Sequence, residues 1–181
     1  MKRLFIIVLA LMMLSAVACA APLTDYSLGR ASVDLKTFGS DDVGFGATMG
    51  LGNNFALNVT NTPDIQLNAL YQFPNSSSSS VVFAIYAGIQ STNGFVFKNN
   101  GTTNVGAQIG GQVSGQLSNS FGLYANVQVG TPCFEAKAGG SYKINESFDA
   151  NLELVYDNFY STNNHSSESY FYPSLGVTMK F

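Results

Sequence analysis

The chain has 181 residues, of which 46% are hydrophobic and only 10% charged, with a formal net charge of −3. That length holds one domain or at most two, and a dispersed soluble domain usually carries roughly 25–35% Lys, Arg, Glu and Asp, so something other than water is expected to cover part of this surface. The acidic balance, without a basic stripe or tail, argues against nucleic acid as a partner.

In chain order the first element is a candidate cleavable signal peptide over residues 1–20. Lys2 and Arg3 form a positive start, Leu4 to Leu14 is an apolar run, and Ala18-Cys19-Ala20 is a small-x-small cleavage pattern. The run is too short for a spanning helix, which needs about 20 apolar residues. Lipidation at Cys19 is the rival reading, but Ala16-Val17-Ala18 lacks the upstream leucine that lipoprotein signals carry. Cleavage after Ala20 leaves residues 21–181 with six basic and eleven acidic side chains and with Cys133 as the single thiol.

From there the signal is period two, interrupted by Gly, Asn, Asp, Ser and Pro. Ala31, Val33 and Leu35 oppose Arg30, Ser32, Asp34 and Lys36; Val43, Phe45, Ala47, Met49 and Leu51 oppose glycines and Thr48. Phe55, Leu57 and Val59 make a third apolar row, Ile65 to Phe73 a fourth, Phe83 to Ile89 a fifth, and Val105 to Leu117 a sixth, whose other face carries Asn104, Gln108, Gln112 and Gln116. The seventh is Phe121 to Val129. The eighth, Phe134 to Tyr142, faces away from Glu135, Lys137 and Lys143. The ninth is Phe148 to Tyr156 against Asp149, Asn151 and Glu153, and the tenth runs from Leu175 to Phe181 against Ser174, Thr178 and Lys180. Ten runs with short connections predict an all-β, antiparallel up-and-down transmembrane barrel over 21–181, in which closure leaves no free edge. Eight strands is the alternative, if the second and third runs form one irregular strand.

A soluble lipocalin-like barrel alternates too, with its apolar side inward. Here the polar face is built from Gly, Gln, Asn, Ser and Thr and holds nearly every strand charge, while the apolar rows hold none. A charge facing lipid at mid-depth costs roughly 2–4 kcal/mol. The polar face is therefore expected to point into a narrow lumen, with Arg30, Asp34, Lys36, Glu135, Lys137, Lys143, Asp149, Glu153 and Lys180 as a paired charge network. Tyr71, Phe73, Phe121, Tyr142, Phe148, Tyr156 and Phe181 sit toward the ends of apolar rows, as interfacial girdles do.

The leader, the tight turns Gly52-Asn53-Asn54, Leu117-Ser118-Asn119-Ser120 and Ile144-Asn145-Glu146-Ser147, each followed by Phe, and the terminal Phe181 together resemble the small bacterial outer-membrane β-barrels of the OmpA/OmpX-like group. The resemblance implies both termini in the periplasm, Phe181 as the signal read by the barrel assembly machinery, lipopolysaccharide-containing outer-membrane lipid as the surroundings, and outward loops over 92–102 and 157–169 that could meet an extracellular ligand.

Motifs of chemistry are sparse. His165, in Asn163-Asn164-His165-Ser166-Ser167-Glu168, could recruit a serine and Glu168 for lipid hydrolysis, but triad members converge from different elements, and a solvated loop histidine is expected. Asp41, Asp42 and Asp64 could hold a cation that bridges lipopolysaccharide phosphates, although acidic turn residues have plain turn reasons. Asn100-Gly101-Thr102 is a chance match to a glycosylation site, and Cys133 beside Pro132 reads as a buried small residue. No cofactor, metal or catalytic residue is expected. The sequence points to a non-enzymatic barrel with a structural or surface-interaction role in envelope integrity, adhesion or resistance. A narrow small-solute channel is the alternative, ahead of a membrane lipid hydrolase or a soluble binding barrel.

Overall fold

The structure is a computed structural model that describes residues 26–38, 42–61, 65–74, 80–92, 104–131, 133–160 and 167–181, with only the backbone described at Phe38, Asp42, Thr92, Asn104, Phe159, Tyr160, Ser167 and Glu168. These residues form ten strands: β1 (Ala31–Phe38), β2 (Asp42–Gly52), β3 (Phe55–Asn61), β4 (Ile65–Gln72), β5 (Val81–Thr92), β6 (Asn104–Gln116), β7 (Phe121–Gly130), β8 (Cys133–Lys143), β9 (Phe148–Tyr160) and β10 (Ser167–Lys180). Each pairs antiparallel with its sequence neighbours, and β1 closes on β10 through Ser32↔Lys180 to Lys36↔Gly176. The barrel is closed through this seam, and β10 runs on past the end of the β1 ladder, which stops at Gly176.

The period-two rows become the two faces of the wall. Along β1, Val33 and Leu35 are 39% and 47% exposed, while Ser32 and Asp34 are 1% and 2% exposed. The same inversion repeats around the barrel: Phe45, Leu67, Ile85, Ile109, Val127, Leu154 and Leu175 face outward, while Gln66, Asn68, Gln90, Gln108, Gln128, Glu153 and Thr178 are buried inside. An interior filled with polar groups and an exterior of large apolar side chains is the reverse of a water-soluble fold.

The second and third runs are separate strands, which settles the count at ten. The hairpin between them turns on Asn53 (φ 52°) and Asn54 (φ 67°), the left-handed pair that a tight two-residue hairpin loop requires and asparagine tolerates. A bulge at Gly50/Gly52 absorbs the irregularity. At the same end, the turns at 117–120 and 144–147 are tied by their own side chains: Ser118 Oγ accepts from the Phe121 N–H at 3.1 Å, and Asn145 Oδ1 accepts from the Ser147 N–H at 2.8 Å. Phe181 donates its N–H to the Ala31 carbonyl at 2.9 Å, so both ends of the described chain lie with these turns at one rim, the terminal end; the opposite rim is the loop end.

Strand ends differ from the sequence expectation. The polar stretch expected as a loop over 157–169 contributes Asp157–Tyr160 to β9 and Ser167–Ser169 to β10. Here both faces carry polar or aromatic side chains, so alternation fades although pairing continues, as at Tyr170↔Asp157. Pro173 sits inside β10, but β1 pairs only as far as Gly176, so its missing N–H falls beyond that ladder. Likewise Thr92 of the 92–102 segment ends β5. The expected signal peptide 1–20, Asp41, Asp64, 93–102, His165 and Asn100-Gly101-Thr102 lie outside the described residues.

Candidate functional site: the polar lumen

The lumen divides by chemistry. Its charges come from β1, β8, β9 and β10, which are contiguous around the closure, and its amides mostly from β3 to β7.

On the charged side, Lys137 Nζ lies 2.7 Å from Glu135 Oε1, two residues along one strand and therefore on the same face. Lys36, Glu135, Lys137, Glu153, Val155, Tyr172 and Ser174 surround a void of about 10 Å³. Glu153, 1% exposed, accepts a hydrogen bond from the Tyr124 hydroxyl at 3.0 Å. Asp157, which the sequence placed in a loop, is buried and accepts from the Tyr172 hydroxyl at 2.7 Å. Asp34 and Lys36 join this tier from β1. The contacts just named offset part of the desolvation of these buried carboxylates and ammoniums, while one oxygen each of Asp34, Glu153 and Asp157 stays buried without a hydrogen-bond partner among the described residues.

A second charge group lies at the terminal end. Lys180 pairs with buried Asp149, and Lys143 pairs with Glu146 at 2.8 Å. The hydrogen bond and charge of Lys143 hold the exposed Glu146 carboxylate below its usual range. Of the nine residues expected to form one network, Asp34, Lys36, Glu135, Lys137 and Glu153 come together in the inner tier, and Lys143, Asp149 and Lys180 gather at the terminal end. Arg30 precedes β1 and is exposed, apart from the buried set.

The amide side forms a belt across six strands. Asn58 Nδ2 donates to Thr48 Oγ1 at 3.0 Å, Gln108 Nε2 to Asn68 Oδ1 at 2.6 Å, and Gln128 Nε2 to Gln108 Oε1 at 2.7 Å. The Tyr86 hydroxyl donates to Asn126 Oδ1 at 2.9 Å and to Gln128 Oε1 at 3.2 Å. Two tyrosines lie over glycines of the neighbouring strand: Gly110 is the register partner of Tyr86 and Gly139 of Tyr124. A Cβ on Gly110 would stand 2.3 Å from the Tyr86 ring.

The belt encloses a chamber of about 80 Å³ whose lining includes Asp34, Lys36, Asn126, Gln128, Lys137 and Glu153. A second chamber of about 220 Å³, bordered by Ser114, Ser141, Asp149 and Lys180, lies at the terminal end. The first holds only a handful of water molecules. Cys133 is buried on the lumen side of β8. Among the described residues, no group of three or more His, Cys, Asp or Glu side chains could hold a metal ion. Such a lumen can hold strands together and order small polar molecules. No protein-family model, no curated protein and no solved structure matches this chain.

Proposed function

We propose that this chain is a bacterial outer-membrane barrel of the OmpA/OmpX-like kind, exported by a cleaved signal peptide, with a structural or surface-interaction role and no catalytic activity. The observation that carries this reading is the inverted polarity of the wall. The apolar rows face outward on every strand, aromatic side chains gather toward both rims (Phe55, Tyr71 and Phe73 at one, Phe134 and Tyr156 at the other), and the lumen is filled with hydrogen-bonded amides and ion pairs. Lipid, rather than water, suits that exterior. A soluble ligand-binding barrel needs the opposite arrangement. The lumen is packed rather than open, which favours presentation of loops to the outside over transport. Its partners on this reading are lipopolysaccharide-containing lipid, the barrel assembly machinery acting on Phe181, and an extracellular ligand met at the loop end by the segments 92–102 and 157–169, whose ends belong to β5, β9 and β10.

The test is electrophoretic mobility of outer-membrane fractions, boiled against unboiled. A heat-dependent shift in that fraction supports the reading. A soluble periplasmic protein without a shift overturns it. A narrow small-solute channel is the second reading, favoured by the two chambers stacked along the lumen; stable, reproducible conductance of the purified protein in planar bilayers would put it first.

A further inference from the structure

We infer that the segment Tyr26–Arg30 is a stopper: it closes the 80 Å³ chamber against the terminal end of the barrel, and it can leave its seat while the ten-strand wall stays shut. The inference stands on the lumen geometry and does not need the membrane reading.

The segment does not belong to the wall. The β1 ladder begins at Ala31, and the residues before it fold back through a bond from the Arg30 N–H to the Ser27 carbonyl at 3.2 Å, with Gly29 at φ 86°. Two further backbone bonds moor it to the end of β2, from the Gly52 N–H to the Tyr26 carbonyl at 3.0 Å and from the Gly50 N–H to the Arg30 carbonyl at 2.8 Å. The seat is shaped for it: a Cβ on Gly50 would stand 2.4 Å from the Ser27 carbonyl oxygen. From this mooring the Tyr26 side chain reaches into the lumen and is 3% exposed, packed with Ala56, Leu70, Ala84 and Tyr86. Its hydroxyl accepts a hydrogen bond from Gln112 Nε2 at 2.8 Å, so the group spans from the β2–β3 side to β6.

That position borders the 80 Å³ chamber on its terminal side. Tyr26 and Gln112 line the 80 Å³ chamber, while Ser114 and Gln116, further along β6, line the 220 Å³ chamber, and Tyr124 alone borders both. Tyr26 and its bond to Gln112 close this level on the β2–β6 side, and Tyr124 with the buried Asn151–Thr178 hydrogen bond at 3.1 Å closes the other side. Opening the segment loses the burial of the Tyr26 ring, the Gln112 bond and the two mooring backbone bonds but none of the paired registers of the ten strands, so it costs less than opening the barrel. The chamber behind it, with Asp34, Lys36, Lys137, Glu153 and the amides in its lining, is chemically suited to a small hydrophilic solute.

The test places one thiol in that chamber. Purified protein carrying Cys19→Ala, Cys133→Ala and Thr48→Cys is refolded in detergent micelles, and modification by a small cationic methanethiosulfonate is timed. Tyr26→Ala in this background is expected to raise the rate about tenfold or more, with Tyr26→Phe between the two, because opening then loses a buried ring or one hydrogen bond. Gly50→Val, which lifts the segment with Tyr26 intact, is expected to act like Tyr26→Ala. Gel mobility and far-ultraviolet circular dichroism report whether each variant is a folded barrel; should Gly50→Val not fold, the two Tyr26 variants decide. Folded Tyr26 variants that react no faster than their parent overturn the inference, as does a parent that already reacts at the Tyr26→Ala rate.

Discussion

Leu154 sits at the middle of β9, pairs with Ala138 and Pro173, and is 51% exposed on the outer face. Leu154→Arg puts a guanidinium at the centre of the apolar band. If that band lies in lipid, the substitution costs about 2–4 kcal/mol, which lowers the folding equilibrium roughly 30- to 1000-fold. The matched perturbation is Leu117→Arg in the turn after β6, 66% exposed at the terminal rim, where the same charge costs about 0–1 kcal/mol. The assay is reversible urea unfolding in lipid vesicles, followed by tyrosine fluorescence, with each midpoint compared at constant slope. The reasoning predicts a difference of about 2 kcal/mol or more between the two sites. Equal costs at both, with a protein that stays monomeric in plain buffer, would refute the placement of the outer face in lipid.

Glu135→Ala leaves the Lys137 ammonium without its 2.7 Å partner and is expected to cost about 3–5 kcal/mol, whereas Glu135→Leu with Lys137→Met is expected to be near neutral; a double-mutant cycle on urea midpoints checks both. Gly110→Val forces a Cβ to within 2.3 Å of the Tyr86 ring and is expected to lose the heat-modifiable gel form, while Gly111→Ala, whose nearest neighbour would be at 3.6 Å, keeps it. Phe181→Ala is expected to refold in detergent like the parent yet accumulate less in outer membranes of a Gram-negative host, separating a role in assembly from a role in stability. In a pH titration by nuclear magnetic resonance, Lys143→Ala is expected to raise the Glu146 pKa toward its ordinary value. The lowered folded value means that the pair's stabilisation is present above the unfolded carboxylate pKa and is lost as pH falls through the folded one.

How legible the molecule was depends on what each residue's neighbours make of it. Alternation revealed the wall because a side chain's face follows from its own parity along a strand; Val33 outward and Asp34 inward needs no knowledge of any partner. Strand ends escaped where both faces turn polar or aromatic: Ser169, Tyr170 and Asn158 look like loop, and only the register with the opposite strand makes them wall. The inner tier escaped in part for the same reason. Asp157 is ordinary in sequence and becomes a buried acceptor because β10 brings Tyr172 within 2.7 Å. The amides were legible as lumen-facing but their contacts were not, because strand register sets Asn58 opposite Asn68 and the curvature of the wall brings Gln108 of β6 to Asn68 of β4.

Tyr26 left a different kind of trace. The lumen face of β2 carries Gly44, Gly46, Thr48 and Gly50, a stretch of wall with almost no side chain on its inner side. Gly46 and Thr48 border the 80 Å³ chamber, and at Gly50 a Cβ would meet the Ser27 and Tyr26 carbonyls, so the bare face leaves room for a guest at its terminal end. Among the described residues, Tyr26 fills part of that space. A glycine-lined face in a narrow barrel therefore predicts a guest, and the guest's identity comes from whichever segment the chain can bring to the open end.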